Sequence, residues 1–264
     1  MIRLTVDPDK FQKTQRMGGP HFGPGIAKTP EQLEEEKRRR EEQQAETLRR
    51  MEEERKKREP NPDSPDYFDK LAEMMTSSNL IDKSKAIDLL IAADTAKASA
   101  EVRGKIARNF KQLAEDGSSF DKSKAIRGLV VWGGQFSAPI LIKMLESGDR
   151  FVANDVIRAL GELKDPRAVA PVAERLKDIR YRDAAAAALR SIGPPAEDAL
   201  IEIAPTTDPQ LCLLAVNLLG DVGTPKSFDV LRKGMRSRNP AVQEASRSAM
   251  AKINGRKAAA KPAH

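Results

Sequence analysis

From Asp66 onward, apolar residues recur at the three-and-four spacing of amphipathic helices, and Gly, Pro, Asp and Asn break the pattern at regular intervals. The pattern predicts helix, turn, helix, turn as far as residue 254. One hexapeptide repeats literally: Asp82-Lys83-Ser84-Lys85-Ala86-Ile87 returns as Asp121-Lys122-Ser123-Lys124-Ala125-Ile126. Repetition on this scale marks a solenoid, in which each helix pair buries its apolar stripe only by stacking on its neighbours.

Aligning on one buried position places Ile91, Val130, Leu160, Leu189, Leu219 and Met250 in register, at spacings of 39, 30, 29, 30 and 31. An apolar residue precedes each, and Ile87, Ile126, Val156, Ala185 and Ala215 stand four positions before. These offsets share a helical face. Eleven positions before stand Ser119, Asp149, Asp178, Asp208 and Asn239, all favoured helix N-caps. The first repeat departs, with Leu80 there and Asn79 beside it. Asp165-Pro166, Thr224-Pro225 and Pro194-Pro195 start the partner helices, and Gly133-Gly134, Gly193 and Gly223 end helices in left-handed conformations. Six helix pairs are expected: 66–94, 98–133, 137–163, 165–192, 194–222 and 224–253.

The chain before this region has a different pattern. Residues 1–29 contain the run Gly18-Gly19-Pro20-His21-Phe22-Gly23-Pro24-Gly25 and are expected to be disordered. Residues 30–59 are expected to form one charged helix about 45 Å long, opened by Thr29 and Pro30. Its pairs include Glu34/Arg38, Glu36/Arg40 and Glu46/Arg50, each with Glu first, worth about 0.2–0.5 kcal/mol per pair. Leu33, Ala45, Leu48 and Met51 are too few for a coiled-coil seam. Pro60, Pro62 and Pro65 make residues 60–65 a stiff linker to the solenoid of 66–254, and 255–264 is expected to be a disordered basic tail.

Composition supports the all-α reading: aromatic residues are 4% of the 264, and Ala, Leu, Glu, Lys and Arg dominate. Lys plus Arg number 46 against 39 Asp plus Glu, a net charge of +7. The repeats are near balance, and Arg256, Lys257 and Lys261 in the short tail supply a large part of the excess. A nucleic-acid binder concentrates its charge on one face, so this distribution argues against one. Cys212 stands alone, which excludes an internal disulfide. No apolar run approaches the length of a membrane span, and Met1–Lys10 has no signal-peptide core, so a cytoplasmic protein is expected.

Candidate chemistry is sparse. The two histidines, His21 and His264, lie outside the repeats, and no Cys/His cluster has metal-ligand spacing. Residues 23–29 fail as a phosphate loop, because Ala27 stands where the glycine before Lys28 is required. Asp149, Asp178 and Asp208 are accounted for as caps. No cofactor and no catalytic residue is expected.

Asp155-Val156-Ile157-Arg158-Ala159-Leu160-Gly161-Glu162-Leu163-Lys164-Asp165-Pro166-Arg167-Ala168-Val169-Ala170-Pro171 resembles the consensus of short HEAT-like repeats of the phycobilisome-lyase type. Leu219-Gly220-Asp221-Val222-Gly223-Thr224-Pro225 resembles it again. The resemblance implies an α-solenoid of about six HEAT-like helix pairs, here preceded by a long charged single helix. It implies a non-enzymatic scaffold for a protein partner, and, as alternatives, a lyase or chaperone for a tetrapyrrole-bearing protein or a nucleic-acid-binding protein. In such stacks the second helices line a groove. In the register above, Arg127, Ile157, Arg158, Leu213, Val216, Asn217 and Arg247 occupy non-core columns of those helices. They form the candidate partner-binding groove, an apolar strip flanked by arginines. Trp132 ends an apolar run and is expected to pack on the following pair.

Overall fold

A computed structural model describes residues 29–259. Expectations for residues 1–28 and 260–264, including those for His21 and His264, lie outside the described residues. The chain divides into two compact units, Met1–Glu59 and Pro60–His264.

In the first unit, α1 (Pro30–Arg58) is a single helix. Thr29 and Gln32 cap it reciprocally: the Gln32 N–H donates to Thr29 Oγ1 (3.4 Å) and the Thr29 N–H to Gln32 Oε1 (3.0 Å). Glu36 and Arg40 pair as expected, at 2.9 Å. Arg38 and Arg50 instead pair forward, with Glu42 (3.8 Å) and Glu54 (3.6 Å). Each of these arginines has a glutamate four residues away on both sides. On an exposed helix the two choices differ by only tenths of a kcal/mol.

The second unit is an all-α solenoid of six helix pairs: α2 (Tyr67–Met74) with α3 (Leu80–Ala92), α4 (Ala100–Asp116) with α5 (Ser119–Gly133), α6 (Ala138–Glu146) with α7 (Ala153–Leu163), α8 (Val169–Arg175) with α9 (Arg182–Ile192), α10 (Glu197–Ile203) with α11 (Pro209–Val222), and α12 (Phe228–Gly234) with α13 (Pro240–Ala259). The second helices form one continuous layer, α3 against α5, α5 against α7, and so on to α13. Among the first helices, α2 packs on α4, and α6, α8 and α10 pack in succession. The Asp165-Pro166, Pro194-Pro195 and Thr224-Pro225 signals each open a short 3₁₀ turn that leads into the first helix. Helix α13 continues to Ala259, so residues 255–259 are helical rather than part of a disordered tail.

The buried positions correct the register. Leu90 and Leu129 are fully buried, whereas Ile91 and Val130 are only half-buried. The shared core position is therefore Leu90, Leu129, Leu160, Leu189 and Leu219, and the first two repeats shift by one residue. Three before it stand Ile87, Ile126, Ile157, Ala186 and Val216, and four before it Ala86, Ala125, Val156, Ala185 and Ala215, all buried. The caps now align without exception. Asn79, Ser118, Asp149, Asp178 and Asp208 stand eleven before, and Asn239 stands eleven before Met250. Each accepts a backbone N–H two or three residues on, as in Asn79 Oδ1 from Ile81 (3.0 Å) and Ser118 Oγ from Asp121 (3.3 Å). The runs 89–91 and 129–131 are apolar throughout, so periodicity alone cannot choose between neighbouring positions there.

Two glycines set how closely the second helices approach. A Cβ on Gly161 would lie 2.7 Å from Ala188 Cα, and one on Gly220 would lie 3.0 Å from Ala249 Cα. Backbone therefore packs on backbone between α7 and α9, and between α11 and α13. The helix-ending residues differ in part from expectation. Gly134 and Gly193 take positive φ (50° and 84°), but Lys164 (52°) is the left-handed residue after α7, and Gly133 and Gly223 have negative φ.

Trp132 is buried against the preceding pair, not the following one. Its indole N–H donates to the Leu90 carbonyl (2.8 Å), and its ring meets the Phe68 ring edge-on with centroids 5.5 Å apart. The stretch Phe120–Glu146 is long and apolar enough on average to cross a bilayer, contrary to the sequence reading. It comprises two helices separated at Gly134, and its Ile126, Leu129, Trp132, Leu141 and Leu145 are in the protein core.

Candidate functional site

The register decides which side chains of the second-helix layer are available. Ile157 is 0% exposed and Val216 is 2% exposed, so both belong to the core. They are the counterparts of Ile87 and Ile126, not free apolar residues of a groove, and the expected apolar strip does not exist. Leu213 is half-buried against the core. Arg127, Arg158 and Asn217 do fall together, one column of exposed residues that also includes Asp88, Ala187 and Ser248. Arg247 is also exposed, but it occupies a different column, the one that is core in the preceding repeats, on α13, which no further pair covers among the described residues.

The large exposed apolar residues lie elsewhere. Phe136 is 92% exposed in the turn before α6, and the others of the solenoid cluster: Leu80, Ile81, Phe120, Phe151 and Ile179 are exposed, Phe120 by 68% and Phe151 by 84%. Each of the latter stands one or two residues after the cap residue that opens a second helix. Ile81, Phe120 and Phe151 share one register position in three consecutive repeats. Singly exposed apolar residues are commonplace, but a recurrence at one position is not explained that way. The signal was visible in the sequence as a bulky apolar residue directly after a cap, a place where the core face has not yet begun.

Ion pairs hold these starts side by side. Lys83 of α3 pairs with Asp121 of α5 (3.5 Å), and Lys122 of α5 pairs with Asp149 ahead of α7 (3.4 Å). One turn further along, Lys124 reaches back to Asp88 (2.7 Å) and Ser84 (3.0 Å), and Ser123 donates forward to Asp155 (2.7 Å). The Lys124 ammonium also lies 5.0 Å from the centroid of the Phe120 ring, so this ring is bracketed by a fixed cation. Two turns along from the aromatic residues stand Arg127 and Arg158. Arg158 lies 3.5 Å from Asp155, while Arg127 and Arg150 make no ion pair among the described residues.

The later repeats carry the cap ladder, but of the apolar edge only Ile179, beside the Asp178 cap, is present. Asp208 caps α11 and pairs with Arg182 of α9 (2.8 Å). Asp178 is gripped by Arg180 Nε and Nη2, whose hydrogen bonds hold its pKa down at about 2. Asp165 is held low by the same two-pronged grip from Arg167. The positions of Ile81, Phe120 and Phe151 are filled by Arg180, Gln210 and Ala241.

Among the described residues, no group of three or more His, Cys, Asp and Glu side chains could hold a metal ion. Cys212 is partly buried, and burial raises its thiol pKa, which disfavours the reactive thiolate.

Comparison with known proteins agrees on architecture. Residues 106–193 match the family model for HEAT repeats, from α4 through α9. Two crystal structures of engineered proteins are matched at low similarity. One shares 20% identity and a TM-score of 0.44 over 71% of this chain and 96% of its own. The other shares 17% identity and a TM-score of 0.44 over 71% and 98%. No curated protein matches the chain in sequence.

Proposed function

We propose that this stack of HEAT-like helix pairs is a non-enzymatic scaffold that binds a protein partner along the apolar edge of its first three or four repeats. HEAT repeats are generally protein-interaction scaffolds, and a solenoid offers extended surfaces for that purpose. One observation carries the location: Ile81, Phe120 and Phe151 are exposed at one position of three successive repeats. Large aromatic side chains are favoured interface anchors, and the Lys83–Asp121 and Lys122–Asp149 pairs hold theirs in place before a partner arrives.

The test compares full-length wild type with Phe120→Ser/Phe151→Ser in affinity capture from the native cell, with bound proteins identified by mass spectrometry. The expected result is a partner held by the wild type and lost from the double variant, with matching circular dichroism and melting of the two proteins. The same partners on both would remove this edge from the account.

A further inference from the structure

We infer that the partner segment for this edge is an amphipathic helix with bulky apolar residues along one flank and carboxylates along the other. This rests on the interaction edge proposed above and adds the chemistry of what fills it. The charge arrangement supplies the reason. From the caps to the column of Arg127 and Arg158, the acids of these three second helices are each engaged: Asp121 has Lys83, Asp149 has Lys122, Asp88 has Lys124, Asp155 has Ser123 and Arg158, and Asp82 accepts from the Asn79 amide (2.9 Å). The cations are not used up in the same way, because Arg127 and Arg150 make no ion pair among the described residues. A ligand approaching these helices therefore meets apolar residues, the unpaired Arg127 and Arg150, and Arg158, whose exposed pair with Asp155 at 3.5 Å is weak enough for a second carboxylate to share.

The spacing supplies the shape. Phe120 to Arg127 and Phe151 to Arg158 are each seven residues along their chain segments, about 10.5 Å at helical rise, close to the width of one helix with side chains. Stacked helices lie about 8–10 Å apart, near the 10.5 Å that seven residues of a crossing helix would span. A helix laid across α3, α5 and α7 can thus set apolar side chains at i, i+7 and i+14 against Ile81, Phe120 and Phe151. Its other flank faces Arg127 and Arg158. The third residue of that column is Asp88, already occupied by Lys124, so two carboxylates seven residues apart are called for rather than three.

The experiment uses full-length protein and two labelled 21-residue helical peptides. Both carry Leu at three positions seven apart; one has Glu on the neighbouring flank and the other has Lys. Fluorescence anisotropy is expected to show the Glu peptide binding wild type at least about ten-fold more tightly, with the preference reversed for Arg127→Glu/Arg158→Glu, since attraction becomes like-charge repulsion. Equal binding of the two peptides by wild type, or no binding of the Glu peptide, overturns the inference. Binding of the Glu peptide that survives Phe120→Ser/Phe151→Ser unchanged also overturns it, because the apolar flank then seats elsewhere. A cellular partner that is lost from the Phe variant but indifferent to Arg127→Glu/Arg158→Glu would leave the interaction edge standing and remove only the acidic partner.

Discussion

The first three repeats and the last three use the same inner positions and differ at the outer ones. Both halves present Asn, Asp or Ser caps and a buried column, Leu90 and Leu129 in the first half, Leu189 and Leu219 in the second. After the cap, the first half places Ile81, Phe120 and Phe151, whereas the second places Arg180, Gln210 and Ala241. The second half in turn holds the backbone-close contact of Gly220 with Ala249 and the buried Glu197, which accepts from the Thr224 N–H (2.8 Å) and the Ser227 hydroxyl (2.5 Å). A repeat thus separates two requirements. Stacking constrains the inward columns, and the outward positions near the caps can vary without disturbing it.

The largest effect that would test this division is at the inner column. Ile157→Asp puts a charge at a fully buried site and should cost more than about 4 kcal/mol. Urea denaturation followed by circular dichroism checks it, and Val216→Asp should behave alike. A folded Ile157→Asp protein would return that residue to the surface and undo the corrected register.

Gly220→Val comes next. The added carbon must sit about where Ala249 Cα already approaches, 3.0 Å from the ideal Cβ position, and overpacking of this kind costs about 1–3 kcal/mol. Trp132 is the only tryptophan and reports on the contact between the first two pairs. In a stack whose repeats touch only their neighbours, the circular dichroism transition should move to lower temperature more than the Trp132 fluorescence transition does. Coincident shifts would show that the two halves melt as one.

Acid should weaken the second half through the gripped aspartates. Asp178 titrates at about 2 when folded, against an ordinary 3.8, because Arg180 hydrogen-bonds its charged form. A lowered folded pKa adds stability above the unfolded value, and that stability is lost as pH falls from about 4 through about 2. Asp165 and Asp208 are lowered as well and act in the same direction. The urea midpoint should therefore drop across this window, and Asp178→Asn should flatten part of the drop.

The smallest effect on stability belongs to the outer edge. Phe120→Ser/Phe151→Ser should change it by no more than about 0.5 kcal/mol per site, read as an unchanged thermal midpoint, while partner binding falls. A large loss of stability would mean that these rings pack on something in the folded chain, and the contrast between the halves would collapse.

Much of the fold was legible in sequence because its signals are local. The hexapeptide repeat, the Asp and Asn caps, and the prolines of Asp165-Pro166 and Thr224-Pro225 act through the backbone within a turn or two, and they marked the helix pairs closely. The candidate groove was not legible to the same degree. Its assignment depended on choosing between Leu90 and Ile91, and between Leu129 and Val130, neighbours that are equally apolar. A shift of one residue turns a helix by about 100°, and the shift in the first two repeats placed exposed Asp88 and Arg127 in the column of Ile157 and Val216, so that a core column read as surface. Arg127, Arg158 and Asn217 stayed outside under either register. Phe120 and Phe151 were legible only through their shared place two residues after a cap, ahead of the core face.

By itself, the sequence determined that this protein is helical, that its helices come in repeating pairs, and where each begins, since caps, breakers and periodicity are short-range effects. Only the tertiary structure decided which of two adjacent apolar residues faces inward and which bulky ones remain uncovered. Burial is settled by the neighbouring repeat, and no residue carries that information alone.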